Sequence, residues 1–294
     1  MNINLEYYKI FYYVGKLGRI TAAADVLSVS QPAISQAIRH LEEQLNTSLF
    51  LRTAKGVHLT AEGQLLYRYI SQGYELMETG EKQLQRMLQL DTGEVRIGAS
   101  DMTLQFYLLP YLETFHEKYP GIKVSVTNAP TPETLQYMRE EKIDFGVVST
   151  PLQDTKDLNL HPVKSVHDIF IAGPKYRRLT EKILDFHELE NQPVICLEKN
   201  TSTRRSIDEL LQKKGITLYP EFELATSDMI VQFTLRNLGI GYVMSEFAQP
   251  YIRMGMLFPL IFHEPTPSRE FTIITHKQKY LSSASRHLLQ MLLS

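Results

Sequence analysis

Four polar side chains, Gln31, Ser35, Gln36 and Arg39, fall on the N-terminal half of a predicted helix whose intervening positions Ile34, Ile38 and Leu41 are apolar. Steps of three and four residues put the two sets on opposite faces. The chemistry open to the polar face is hydrogen bonding to base edges. A glutamine amide pairs with adenine through two bonds, and a serine donates or accepts at either base. Arg19, Arg52 and Lys55 are better placed for phosphate or the minor groove, contacts that add affinity but little sequence information. A second set of candidates is rich in hydroxyls. Ser100-Asp101-Met102-Thr103, Pro130-Thr131, Ser149-Thr150 and Asn200-Thr201-Ser202-Thr203 each end or follow an apolar, β-rich run. Hydroxyls and free amides at helix N-termini suit a small organic anion such as a carboxylate. Any one of these hydroxyls serves equally as the cap of its own helix, so the expectation of an effector site rests on the four segments converging.

The elements that must hold these residues follow from periodicity. Residues 5–17 and 21–27 read as helices, the second rich in alanine at Ala22, Ala23 and Ala24, which permits close packing. Ser28-Val29-Ser30 breaks the pattern, Ser30 caps the third helix, and Pro32 fits its first turn, where the amide is unpaired anyway. Helix, short turn, helix is an arrangement that reads DNA, although a plain pair of packed helices has the same pattern. Residues 49–52 and 57–59 read as short strands of a small wing around Lys55-Gly56. Thr60 then caps a long polar helix over 61–90, about 45 Å at about 1.5 Å per residue. Leu66, Ile70, Met77, Leu84 and Leu88 form a thin seam along it, suited to a partner helix and hence to a homodimer. Gly73 and Gly80 interrupt this helix and would mark a bend or a close crossing.

Beyond Asp91-Thr92-Gly93, short β-rich runs alternate with helices (95–98, 104–118, 122–126, 132–141, 145–148), then again (169–172, 194–197, 203–214, 222–224, 227–236, 241–244), with a strand at 271–275 and a last helix over 284–293. The alternation predicts a doubly wound α/β domain of two lobes with a cleft between them. The expected fold class is therefore multi-domain: an all-α winged helix-turn-helix over 1–60, a linker (dimerisation) helix over 61–90, and a two-lobed α/β effector domain over 91–294, with lobe I at 91–163 and 266–294 and lobe II at 164–265.

The chain of 294 residues has a net charge of −2, which argues against a mass binder of nucleic acid. The charge is uneven, +2 over residues 1–60 and −4 over the rest, as suits a protein that meets phosphate at one end. The single cysteine, Cys196, lies in the apolar run Pro193–Leu197 and reads as a core residue, with redox sensing as the alternative. His161, His167, His187, His263 and His276 lack metal-ligand spacing, so no metal or cofactor is expected. Arg204 and Arg205 are either a carboxylate clamp or ordinary surface charge, and Asp228 complements its helix dipole. The start lacks the marks of a signal peptide and no run of ~18 apolar residues occurs, so a cytoplasmic location away from the membrane is expected. No nucleophile–base pair or phosphate-binding glycine loop is visible, since Gly239-Ile240-Gly241 is too short for one, which weighs against an enzyme. A solute-binding protein would explain the two lobes but not the first 90 residues.

ITAAADVLSVSQPAISQAIRHLEEQLNTSLFLRT followed by LTAEG resembles the N-terminal domain of LysR-type transcriptional regulators. The likeness continues through RIGASDMTLQFYLLPYLETFHEKYP, KIDFGVVST and LRNLGIGYVMSE, in order and over essentially the whole chain. The resemblance implies that Gln31, Pro32 and Ser35 lie where the family's recognition helix meets DNA, and Arg52 and Lys55 where its wing does. It implies a periplasmic-binding-protein-like sensory domain with an effector between the lobes, assembly to a homotetramer, a pseudo-palindromic double-stranded operator, and RNA polymerase as a further partner. Two departures stand out. Gln36 replaces a frequent arginine, putting a phosphate or guanine contact in doubt, and Met102 replaces a frequent threonine, exchanging a hydroxyl for a flexible apolar wall.

Overall fold

The computed structural model describes residues 3–53 and 56–294. The chain divides into two units, Met1–Arg86 and Met87–Ser294.

In the first unit, α1 (Leu5–Leu17) is capped by the Asn4 side chain and stopped by Gly18 in the left-handed region at φ 65°. Helix α2 (Ile20–Leu27) ends on Ser28, also left-handed. The Ser30 hydroxyl caps α3 (Gln31–Leu45), which carries Pro32 in its first turn. Ala23 and Ala24 are buried against Ile34, Ala37 and Ile38, so small side chains on α2 bring α3 close. Strands β1 (Phe50–Thr53) and β2 (Gly56–Leu59) pair antiparallel with Phe50 opposite Leu59, and the expected wing residue Lys55 lies outside the described residues. The Val57 amide donates to the Gly18 carbonyl at 2.9 Å, tying this hairpin to the α1–α2 turn. A Cβ at Gly56 would stand 2.6 Å from that same carbonyl, so only glycine fits.

Helix α4 (Ala61–Leu88) starts on Thr60, whose hydroxyl accepts the Gly63 amide. Its first turns pack Leu66, Tyr67 and Ile70 onto Phe11, Leu41 and Leu49. The apolar seam therefore serves two purposes. Leu66 and Ile70 join this unit's own core, while Met77, Leu84 and Leu88 stay exposed. Gly73 and Gly80 mark no break within the chain: α4 runs through both, and no described atom approaches either.

In the second unit, β3 (Gly93–Ala99) leads to a short helix α5 (Asp101–Thr103), a π-helical turn over Leu104–Leu108, and α6 (Leu109–Lys118). The π turn answers Pro110, which has no amide for the preceding turn. The Phe106 carbonyl accepts from Lys164 Nζ at 3.0 Å instead. Then follow β4 (Ile122–Asn128), α7 (Thr131–Arg139), β5 (Phe145–Ser149), β6 (Leu158–Ala172), β7 (Val194–Leu197), α8 (Ser202–Lys213), β8 (Phe222–Leu224), α9 (Ser227–Leu235), β9 (Ile240–Met244), α10 (Ser245–Arg253), β10 (Phe258–Pro259), β11 (Ser268–His276) and α11 (Ser283–Leu293). The strand order is β4-β3-β5-β11-β6-β9-β7-β8, with β10 also on β6. Strands β3, β4 and β5 are parallel, as are β7, β8 and β9, while β11 and β6 run antiparallel between the two sets.

The sequence reading gave no element for α10 or β10, and it misplaced one strand. The expected start at residue 169 is too late, for β6 begins at Leu158 and pairs with β11 before reaching β9. Pro162 hides this stretch, because a proline inside a run argues against a strand. The structure absorbs it with a bulge: Lys164 faces Phe271 and Pro162 faces Thr272, leaving Val163 unopposed. The ladder changes partner at Asp168, which faces Met244 of β9 just after His167 has faced Ser268 of β11. The change of ladder partner along β6 thus lies between His167 and Asp168.

Candidate functional site

The outward face of α3 carries the first candidate set. Gln31, Pro32, Gln36 and Arg39 are exposed and Ser35 is half-buried, while Ile34, Ala37, Ile38 and Leu41 face the core. None of the side chains of Gln31, Gln36 and Arg39 has a hydrogen-bond or ion-pair partner among the described residues, so their polar groups are turned to solvent. Arg19 and Arg52 meet at a shallow groove lined also by Ile20, Thr21, Thr53 and Gly56. Helix α2 opens there with no side-chain cap, so its first turn shares the groove with both arginines. That combination is what a phosphate needs.

The second set meets in a cleft of about 240 Å³ in the other unit. Ser100, Asp101, Met102, Thr131 and Ser149 line it from lobe I, and Thr201 and Ser202 from lobe II. The other expected residues do not. Thr103 is buried and donates to the Val147 carbonyl at 3.0 Å, in a reciprocal cap with Ser100. Thr150 Oγ1 accepts the Glu270 amide at 2.9 Å. The Thr203 hydroxyl lies 3.9 Å from the Met102 sulfur, so these two side chains meet directly across the lobes. Thr131 is shared, since its hydroxyl also donates to the Ser149 carbonyl.

Sequence reading missed several walls. Asn128, Glu133, Glu198, Thr226 and Ser227 line the cleft too. Thr226 and Ser227 carry the same signal as the segments that were found, hydroxyls opening a helix after a strand. The cleft's charge is the reverse of a simple anion site. Asp101, Glu133 and Glu198 line it, and among the described residues no lysine, arginine or histidine does. Burial pushes the Asp101 carboxyl above its ordinary value, and the charge of Asp228 pushes it further.

Arg204 is neither a ligand clamp nor surface charge. It is 2% exposed and donates to Asp208, Glu223 and the Leu197 carbonyl, which locks α8 onto β7 and β8. A deeper pair joins the lobes. Arg269 and Asp168 are both buried and bonded through two nitrogens and two oxygens, and Arg269 Nη1 also donates to Ser149 Oγ at 3.0 Å. Ser149 thus connects the cleft wall to the crossover strands. Cys196 is fully buried, and burial pushes its thiol up to about 12, which leaves little reactive thiolate at neutral pH. No helix is long and apolar enough to cross a membrane among the described residues.

Comparison with known proteins covers both units. Residues 5–64 match the bacterial regulatory helix-turn-helix protein, lysR family, and residues 88–294 match the LysR substrate binding domain. The HTH-type transcriptional regulator YeiE of Escherichia coli K12 is 28% identical over 98% of this chain and 97% of its own. Among solved structures, a full-length cysteine-to-aspartate variant of OxyR from Pseudomonas aeruginosa has a TM-score of 0.77 at 17% identity, covering 99% of both chains. Full-length CbnR complexed with its target DNA has a TM-score of 0.64 at 18% identity, covering 98% of both.

Proposed function

Because this chain belongs to the LysR family of DNA-binding transcription regulators, which carry an effector-binding domain, we propose that its α3 face reads a specific operator and that a small molecule in the inter-lobe cleft controls the outcome. The carrying observation is the exposed face of α3, where Gln31, Ser35, Gln36 and Arg39 stand over a buried apolar face beside the Arg19–Arg52 groove. Gln31 and Ser35 are the base-reading pair, Pro32 sets the first turn, and Arg52 with Lys55 holds the backbone.

The exposed stripe on α4, with Met77, Leu84 and Leu88, supports a homodimer through this helix. Twofold pairing calls for a pseudo-palindromic site. Further pairing of sensory domains gives a tetramer, and RNA polymerase is the target through which operator occupancy changes transcription. The protein works in the cytoplasm, where its operator is. Ligand in the cleft acts by favouring one arrangement of the lobes, since a ligand indifferent to arrangement shifts nothing.

The test is binding to the DNA flanking the protein's own gene at one near-physiological salt concentration, with wild type and a Gln31→Ala, Ser35→Ala double variant. Specific binding by wild type, reduced in the variant to salt-dependent non-specific association, is the expected result. A variant as selective as wild type, or a wild type that prefers no sequence at any salt, overturns the reading.

A further inference from the structure

The cleft holds two opposite kinds of polar group, uncapped helix amides with a buried hydroxyl and a set of carboxylates without basic partners among the described residues. Helices α7 and α9 both begin at the cleft without a side-chain cap, at Pro130 and at Thr226, which leaves the first-turn amides of α9 and those of Thr131 and Glu133 on α7 uncapped, Pro132 having none. Ser202 adds to this. It is 4% exposed, it lines the cleft, and its hydroxyl has no partner. A buried hydroxyl without a partner is destabilising, and a bound acceptor removes that cost. Against these donors stand Asp101, Glu133 and Glu198 on the walls and Asp228 beside them, none with a basic partner among the described residues.

Helix dipoles account for only part of this. Asp101, Glu133 and Asp228 each sit in the first turn of a helix, where a carboxylate is favourable in its own right. Glu198 does not, and the dipole does not explain the Ser202 hydroxyl. A plain anion would enter a site ringed by like charge with no cation to offset it. A plain cation would leave the open amides and Ser202 unanswered. The space is also small: about 240 Å³ falls below the roughly 300–1,000 Å³ of clefts that hold drug-sized ligands.

The geometry points to a small zwitterion, an α-amino acid or a close amino-carboxylate analogue, as the ligand of this cleft, its carboxylate on the α7 and α9 N-termini with Ser202 and its ammonium against Asp101 and the acids around it. The ligand's side chain then meets Met102, the apolar wall. Asp101 belongs to lobe I, while Glu198 and Asp228 belong to lobe II, so an ammonium between them replaces repulsion across the cleft with attraction and draws the lobes together. This inference rests on the cleft being the effector site.

Full-length protein is titrated by calorimetry with the common amino acids, each beside its N-acetyl and carboxamide derivatives, and with succinate and putrescine as charge controls. At least one amino acid binds, and both derivatives bind about 10- to 100-fold more weakly, the scale of one charge-assisted hydrogen bond. Asp101→Asn weakens the amino acid by a similar factor, and Glu198→Gln, at an exposed position, weakens it less. Succinate or putrescine binding as tightly as the best amino acid overturns the zwitterion, as does failure of every amino acid to bind. Failure of the cleft reading has its own signature. Ala225→Trp, at an exposed wall position, fills the cleft, and any ligand that binds this variant as tightly as wild type sits elsewhere.

Discussion

The α3 face and the inter-lobe cleft both present polar groups without side-chain partners among the described residues, but they do so under different physical conditions. On α3 the groups are in water. Gln31, Gln36 and Arg39 cost nothing while unbound, because solvent satisfies them, and the helix beneath depends on Ile34, Ile38 and Leu41. In the cleft, Asp101 is half-buried, Ser202 is buried, and the supporting ion pair Asp168–Arg269 is sealed from solvent. The contrast teaches that the reading surface can change its side chains with little effect on folding. The sensory site shares its polar groups with the structure that holds the lobes together.

The largest expected effect tests that coupling. Arg269→Met leaves Asp168 buried and unpaired and should cost about 3–5 kcal/mol of stability, read as a lower urea midpoint for the sensory unit by circular dichroism. Adding Asp168→Leu should recover most of the loss, since an apolar pair of similar volume removes the stranded charge. An unaltered midpoint in the single variant would break the comparison.

On the reading surface, Gln31→Ala should leave the melting temperature unmoved and cost roughly 1–3 kcal/mol of discrimination at one base position. Arg52→Ala should weaken all sequences alike and lower the salt slope of binding by about one. A selectivity change from Arg52→Ala, or a uniform loss from Gln31→Ala, would exchange their assigned roles.

A smaller effect separates the two halves of α4. Gly73→Ala and Gly80→Ala should each stabilise an isolated helix by about 1 kcal/mol, because a Cβ meets nothing at either position within the chain. Weaker dimers in sedimentation with either variant would put a close crossing between two copies at that glycine. The smallest expected effect is at Cys196. Its buried thiol, pushed up to about 12, should leave operator binding unchanged on peroxide treatment.

The helix-turn-helix was legible because its signals are local. Ser30 caps α3 and Pro32 follows, Gly18 stops α1, and the apolar steps of α3 face inward, all within a few residues of one another. In the cleft, Ser100, Thr131, Ser149 and Ser202 carried the same local signal of a hydroxyl after a strand, and they do line it. Thr103, Thr150 and Thr203 carried that signal as well, but each turns to the protein's own backbone or to Met102. Local sequence does not distinguish a hydroxyl that faces the cleft from one a residue away that faces the core. Pro162 misled for a related reason, since the bulge that accommodates it depends on β11, more than a hundred residues away.

Sequence alone determined the order of most elements, the face of α3 that meets solvent, and the segments that end at the mouths of strands. These follow from periodicity, caps and turn residues, which act over a few residues at a time. Only the tertiary structure decided that Arg204 and Arg269 are internal ties, that β6 changes its ladder partner at Asp168, and that the cleft's side-chain charge is acidic. The sign of a cleft is the sum of charges from segments distant in sequence, and it exists only once folding brings them together.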